Sequence, residues 1–328
     1  MIIAVDSGTT RTRAWLVGDG VVGEGASTVA GARDLARTRD RAWLLRQVRE
    51  VADRALASAE AEWHDVEAIV ASGMITSELG LVELPHLVAP AGAGELVRAM
   101  LELPGIRELP ASLFLVPGVR NVSDEVERAD FMRGEETQVV GLLSLGRVEP
   151  PLLYVSVGSH PKFVWVDATG RIAWSLTTLS GELVWALHRE TILADLVDPG
   201  GAITDLDAID HGARIVESAG LSRALFAARL LNRLGHAPPE ECSAFLHGAI
   251  ARADLRALEV ALPAGATLER IALSGHGPLL DAYRHLLSRA GLGAVQVIDE
   301  PLGAIGARVL YERRGGLVSG DEGRKLHA

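Results

Sequence analysis

Residues 2–15 read IIAVDSGTTRTRAW: an apolar run, an acid, a small Gly-Thr-Thr turn and a second extended run. The pattern occurs twice. Laying Gly158 over Gly8 sets YVSVGSHPKFVWVDATG on AVDSGTTRTRAWLVGDG, so that Val155 matches Val5, Trp165 matches Trp15, Gly170 matches Gly20 and Ser159 stands where Thr9 stands. A strand, a glycine turn bearing hydroxyls and a return strand bring backbone N–H groups together where a phosphate oxygen can sit. One Gly-Thr turn is ordinary hairpin punctuation. Two in equivalent places point to an α/β protein of two similar lobes that hold one polyphosphate between them.

The 328 residues exceed the usual size of a single core, and the repeat puts the divide near the middle of the chain. Glu149-Pro150-Pro151 marks it. The expected lobes are therefore 1–149 and 150–312, with the polar, glycine-rich residues 313–328 as a frayed tail. A composition 48% hydrophobic and 23% charged is that of an ordinary globular protein. The formal charge of −11 argues against a nucleic-acid or anionic-membrane partner, which a basic face would normally meet. It still permits an anionic ligand held by Mg²⁺, backbone dipoles and a few placed cations. The single cysteine, Cys242, excludes an intramolecular disulfide and a cysteine-cluster metal site. With no basic leader ahead of the first strand and no apolar stretch of membrane-spanning length, a cytoplasmic protein is expected.

In the first half, Val21 to Ser27 reads as a third strand and Asp40 to Ala57 as an amphipathic helix, with Trp43, Leu44, Val48, Val51 and Ala55 at helical spacing. Val66 to Ser72 is a short buried strand that ends in Gly73-Met74-Ile75-Thr76-Ser77, at the carboxyl end where open α/β sheets hold ligands. Leu81 to Gly94, carrying Pro85 and Pro90, is expected to be irregular, as a pocket wall or a plain surface loop. Glu95 to Leu101 reads as a short helix and Ser112 to Val116 as a strand. The charged run 120–133 reads as a solvated face. In Met132-Arg133-Gly134-Glu135-Glu136-Thr137-Gln138, the apolar residues that follow recur at helical spacing, which puts Glu135 and Glu136 in a first helical turn. Acids there complement the helix dipole. The same place, directly after a glycine at the end of the first lobe, suits a carboxylate facing a cleft, and the pattern leaves the two readings even.

In the second half, Ile172 to Leu176 is a strand, Thr177 to Glu182 opens a helix through Leu193 with Ser180 as its cap, and Val197 to Gly212 is loop-rich. Helices are expected over Leu221–Leu234 and Pro239–Leu262. Leu273-Ser274-Gly275-His276-Gly277-Pro278 lies between a strand and the helix Leu279–Ala290, a frequent setting for a nucleotide group. A last strand, Ala294–Ile298, precedes a helix through Leu310 in which Gly303 and Gly306 permit close packing of a neighbouring backbone.

These strings resemble a known family. AVDSGTT, VSVGSHPKF and LSGHGPL look like the two phosphate motifs and the adenosine motif of the sugar kinase/Hsp70/actin superfamily. DSGTTRTRAW, SGMITSELGLVELPHLVAPAG, FMRGEETQ, and GSHPKFVWV followed by SGELVWAL are similar to the 2-keto-3-deoxygalactonate kinases (2-dehydro-3-deoxygalactonokinases). The resemblance implies two ribonuclease H-like (actin-like ATPase) lobes, each a mixed five-stranded sheet with flanking helices, and an active site in the cleft between them. It implies ATP- and Mg²⁺-dependent phosphorylation of the terminal hydroxyl of a 2-keto-3-deoxy sugar acid as the small-molecule substrate; a homodimer is compatible with it.

Carried over residue by residue, Glu135 is the first choice for catalytic base and Glu136 the second, with Arg133 in the same string. Asp6 takes the metal. Gly8, Thr9, Thr10 and Arg11 from one side and Gly158, Ser159, His160 and Lys162 from the other hold phosphate, and Gly275 and Gly277 hold adenosine. Met74, Ile75, Ser77, Pro90, Ala91 and Gly92 fall in the substrate string. Two departures stand out. Ser77-Glu78-Leu79-Gly80-Leu81 replaces a Ser-Arg-Gln-Gly-Trp-like string, and Pro161 replaces a hydroxyl in the second hairpin. A kinase of the same fold acting on another small sugar or hydroxy acid, or a non-catalytic nucleotide or sugar sensor, are the competing readings.

Overall fold

In the computed structural model, which describes residues 1–31, 34–35, 40–262, 266, 268–291 and 293–325, the repeated hairpin forms the centre of each of two sheets. Strand β1 (Ile2–Ser7) lies between β2 (Thr12–Val17), antiparallel, and β4 (Ala68–Gly73), parallel. Its nearly continuous apolar sequence follows from burial on both faces. Ile2 and Ala4 enter one core while Ile3 and Val5 enter another. The sheet is completed by β3 (Val21–Thr28), β7 (Ser112–Leu115) and β6 (Leu101–Leu103), in the order β3-β2-β1-β4-β7-β6. Helix α1 (Arg41–Ser58) covers its outer face, its first turn capped by the Asp40 carboxylate, which accepts from the Trp43 N–H.

The second sheet repeats the plan. Strand β10 (Leu152–Val157) lies between antiparallel β11 (Lys162–Val166) and parallel β13 (Arg270–Gly275), flanked by β12 (Ile172–Thr177) and β14 (Ala294–Val297). Helices α4 (Ser180–Glu190), α5 (Leu206–Ala219), α6 (Leu221–Arg233), α7 (Pro239–Ala261) and α8 (Pro278–Arg289) build its outer side. Between the sheets run α3 (Glu135–Ser144) and α9 (Leu302–Lys325), in a core shared by Ile2 and Ala4 of one sheet and Leu152 and Tyr154 of the other. At their crossing, a Cβ on Gly306 would overlap the Thr137 carbonyl and one on Gly141 the Leu302 carbonyl. Gly303, by contrast, meets only the Gln138 side chain.

Five expectations change. The first sheet has six strands, because the short segment Leu101–Leu103 pairs antiparallel to β7 at the edge, where the sequence reads as the end of a helix; that helix, α2, stops at Ala99 (Ala93–Ala99). The charged run 120–133 is partly structural: β8 (Val119–Asn121) and β9 (Asp130–Met132) pair with each other, and with β5 (Leu87–Val88) form a small third sheet. Helix α5 begins at Leu206, inside the expected loop, because the Asp205 carboxylate caps it by accepting from Asp207 and Ala208. Ser180 is the first residue of α4 rather than its cap, its hydroxyl donating to Asp254 instead. Finally, α9 continues through Lys325 where a frayed tail is expected, and besides the core it shares with the second sheet it packs against α2, α3, β1 and β4. Arg314 anchors it there, donating to the Met100 carbonyl with its guanidinium over the Phe114 ring.

Candidate active site

Both hairpin turns sit at the carboxyl ends of the central strands, and the same devices shape them. The Gly8 N–H closes the first turn on the Arg11 carbonyl at 2.8 Å. A Cβ on Gly31 would overlap the carbonyls of Gly8 and Thr9, and one on Gly181 would overlap those of Gly158 and Ser159. The two buttressing glycines occupy equivalent places in the repeat. The parallel partner strands end alike: Gly73 (φ +87°) lies against the Ser7 carbonyl and Gly275 (φ +125°) against that of Val157, both too close for any side chain. Among the described residues, none but its chain neighbours comes within 4 Å of where a Gly158 Cβ would stand, which leaves this turn open to an incoming group. A Gly181→Ala variant is expected to lose about 1–3 kcal/mol of stability through this collision, read by chemical denaturation.

The geometry divides the two acids of the Gly134-Glu135-Glu136 string. Gly134 (φ +110°) turns the chain into α3 with its Cα side against Gly73 and Asp6, a built Cβ lying 3.7 Å from Asp6 Oδ1. Both carboxylate oxygens of Glu136 fold back to accept from the Gly134 N–H, at 2.9 and 2.8 Å, and one also accepts from the Thr137 hydroxyl at 3.2 Å. Burial, and then the neighbouring Glu135 charge, push its carboxyl up to about 8. Glu135 is different. Its Oε2 is buried with no hydrogen-bond partner among the described residues. Burial raises its pKa, the Lys162 charge opposes this, and the carboxylates of Asp6 and Asp130 add to it. Glu135 thus lies within electrostatic reach of Asp6 on the first hairpin and Lys162 on the second.

Asp6 is also shifted upward by burial, with Arg13 Nη1 3.7 Å from its Oδ2 drawing it back. Arg11 is exposed, so the first hairpin's cation nearest the acid is Arg13. Lys162 is buried; its ammonium donates to the Phe131 carbonyl at 2.7 Å and to the Thr177 hydroxyl, which donates on to Asp130 at 2.7 Å. His160 faces Glu182 across 3.4 Å beside its turn. Gly275 ends β13 next to Val157, and Gly277 (φ +88°) leads into α8, so the expected adenosine loop adjoins the second turn.

Several expected site residues are not brought to this cluster. The Ile75 side chain is fully enclosed in the core beneath the first sheet. Ser77 is buried, its hydroxyl donating to the Met74 carbonyl at 2.8 Å. Met74, half-buried at the carboxyl end of β4, remains beside Gly73. Ala91 is fully buried and exchanges backbone hydrogen bonds with Ile172, five residues along β12 from Thr177, roughly 16 Å away at strand spacing. Pro90 and Gly92 go with it, and Gly92 lines a cavity of about 310 Å³ with Val140, Ser144, Arg171 and Arg313 at that far end. Arg133 is a brace: its guanidinium donates to Thr76 Oγ1 (2.9 Å) and the Leu84 carbonyl (2.7 Å) and lies 3.4 Å from His86 Nδ1. It ties the 76–86 segment to the start of α3.

Other residues at the cluster escape a reading by motif. Gln138, one turn into α3, accepts from the hydroxyls of Tyr154 (2.7 Å) and Ser156 (2.9 Å) on β10, and Tyr154 also bonds Ser274 on β13. Asp130 accepts from Ser175 at 2.6 Å as well as from Thr177. The one available signal was the overlay itself, which sets Ser156 on Asp6.

The donor set fits a magnesium nucleotide. Among the described residues no group of three or more His, Cys, Asp or Glu side chains forms a closed metal cage. The one carboxylate at the end of β1, Asp6, is the kind of donor that Mg²⁺ takes beside waters and phosphate oxygens. The opposed glycine turns, one of them open above Gly158, fit a polyphosphate.

Comparison with known proteins bears on the family and the fold. No curated protein matches the chain significantly. Among solved structures, a candidate 2-dehydro-3-deoxygalactonokinase from Sinorhizobium meliloti is similar at TM-score 0.72 and 25% identity, over 94% of this chain and 98% of that one. A ligand-bound xylulose kinase from Lactobacillus acidophilus shares the fold at TM-score 0.53 and 12% identity, over 96% of this chain and 89% of that one. Residues 6–308, from the acid of the first hairpin to the inner part of α9, match the 2-keto-3-deoxy-galactonokinase family, and the chain belongs to it.

Proposed function

We propose that Glu135 accepts the proton from the terminal 6-hydroxyl of 2-dehydro-3-deoxygalactonate, or a closely related 2-keto-3-deoxy sugar acid, as that oxygen bonds to the γ-phosphorus of ATP and the bond to ADP breaks. The observation that carries this assignment is the buried, unpartnered Glu135 Oε2, within reach of one charged residue from each hairpin. Phosphoryl transfer needs positioning, charge stabilisation and a carboxylate for the departing proton. Glu136, spent on capping α3, supplies orientation.

Asp6 is the residue that would hold Mg²⁺, directly or through water. Bound Mg²⁺-ATP supplies the phosphoryl group and neutralises its charge. With the Gly8 N–H closing its own turn, the N–H groups of Thr9–Arg11 and of Gly158–His160 would meet the phosphates from the two lobes, and Gly275 and Gly277 would bound the adenosine side. The Lys162 charge opposes the upward shift that burial imposes on Glu135 and so favours its ionised form. Closure of the lobes 1–149 and 150–312 about the shared α3–α9 layer excludes water from the transfer.

Glu78, which stands where the family string carries arginine, is exposed, and Arg133 and His86 both feel its charge. Among the described residues no helix is long and apolar enough to cross a membrane, and the free, buried Cys242 suits a cytoplasmic setting. The test is ADP release from ATP with purified protein across a panel of acceptors. Stimulation by 2-keto-3-deoxy sugar acids is expected; stimulation by a neutral sugar alone would overturn the substrate.

A further inference from the structure

The second lobe contains a buried carboxylate that the phosphoryl transfer does not use. Asp254, on α7, accepts from the Ser180 hydroxyl at 2.7 Å through Oδ1 and from the Thr178 hydroxyl at 2.8 Å and the Tyr283 hydroxyl through Oδ2. It is 6% exposed. Filling a core this way is expensive, because the carboxylate loses its hydration and needs every donor to recover it. Burial raises its pKa while the three hydroxyls work against that.

What the three donors have in common is the second phosphate turn. Thr178 and Ser180 flank the segment that encloses it: the Thr178 N–H donates to the Pro161 carbonyl, the Glu182 N–H donates to the Ser159 carbonyl (both 3.0 Å), and Gly181 lies directly against Gly158. Tyr283 belongs to α8, the helix entered through Gly275–Gly277, and its ring meets Phe163 of β11 edge-on at 5.7 Å. One carboxylate thus links both arms of the turn's enclosure to the helix that carries the neighbouring glycine loop. Among the described residues the first lobe has no such device. Thr28 matches Thr178 in the repeat, but Ala30 stands where Ser180 does.

We propose that Asp254 is a positioning residue for the nucleotide half-site, holding the Gly158–Pro161 turn and the Gly275–Gly277 loop at a fixed spacing. The proposal rests on the reading that this turn holds ATP phosphates. In the full-length protein, Asp254→Asn is expected to raise KM for ATP by about tenfold, the equivalent of one buried charged hydrogen bond, while KM for the sugar acid stays unchanged. Thr178→Val/Ser180→Ala, which leaves Asp254 and Tyr283 in place, is expected to shift KM for ATP in the same direction and provides the test if Asp254→Asn fails to fold. An unchanged KM for ATP in a folded variant, or an equal rise in both KM values, overturns the proposal. Gly158→Ala separates the two levels, because among the described residues its methyl group meets nothing beyond its own chain neighbours. If Gly158→Ala raises KM for ATP and the Asp254 and hydroxyl variants do not, only the role of Asp254 falls. If Gly158→Ala leaves KM for ATP unchanged, the placement of the nucleotide falls with it.

Discussion

A Glu135→Gln variant is expected to lose about 10²- to 10⁴-fold in kcat, the usual contribution of a general base, while still binding ATP. The amide preserves the shape of the side chain and removes its ability to take a proton. Because Glu135 Oε2 has no hydrogen-bond partner among the described residues, the substitution breaks no contact there. Loss of activity would then be separable from loss of structure by measuring kcat beside the thermal shift that ATP produces. Glu136→Gln provides the contrast. Its carboxylate accepts twice from Gly134 and once from Thr137, so its replacement should lower the melting temperature more than it lowers kcat. The opposite outcome, with Glu135→Gln active and Glu136→Gln dead but folded, would move the base by one residue.

The same pair predicts a pH profile. A base works ionised, and burial together with Asp6 and Asp130 raises the Glu135 pKa. The fall in kcat/KM on acidification should therefore begin at a higher pH than an ordinary glutamate would give. Lys162 opposes the shift, so Lys162→Met should move the acid limb higher still. Since the two glutamates sit side by side, the apparent values belong to the pair. For stability the sign runs the other way. Glu136 is raised from 4.5 to about 8, so the folded protein holds its proton more tightly than the unfolded chain does. That contribution is fully present below about pH 4.5 and is lost as pH rises through about 8.

The hairpins were legible because their information is local and occurs twice. Residues 2–5 and 152–155 alternate between two cores, and Gly73 and Gly275 follow from close backbone approach to the central strands. Glu135 and Glu136 could not be told apart, because whether a first-turn acid caps its own helix or faces outward depends on rotamer and on the neighbours that Asp6, Gly73 and Lys162 supply from distant positions. Arg133 likewise reads as a charge in a motif, yet its contacts lie at Thr76, Leu84 and His86. The assignment of Ser180 as a cap rested on residue type alone, and a partner 74 positions away claimed the hydroxyl. Residues 313–325 look loose by composition, but a helix already docked in the α3–α9 layer carries on past its last apolar anchor.

Asp6→Asn is expected to produce the second large loss. If Asp6 holds Mg²⁺, the metal's stabilisation of the transferring group is worth several kcal/mol, and a neutral amide should cost about 10²-fold or more in kcat/KM at fixed Mg²⁺, with partial recovery as Mg²⁺ is raised. A second effect makes the experiment diagnostic. The Asp6 charge is one of the causes that raise the Glu135 pKa, so removing it should shift the acid limb of the residual activity to lower pH. Arg13, released from its partner at 3.7 Å, would act in the same direction by adding positive charge near the site. A variant that needs more Mg²⁺ and also titrates at lower pH places Asp6 beside both the metal and the base. One that loses activity with neither change has lost its fold at β1, where Asp6 pairs with Arg13 and Ser72 across the sheet, and a melting curve would show it.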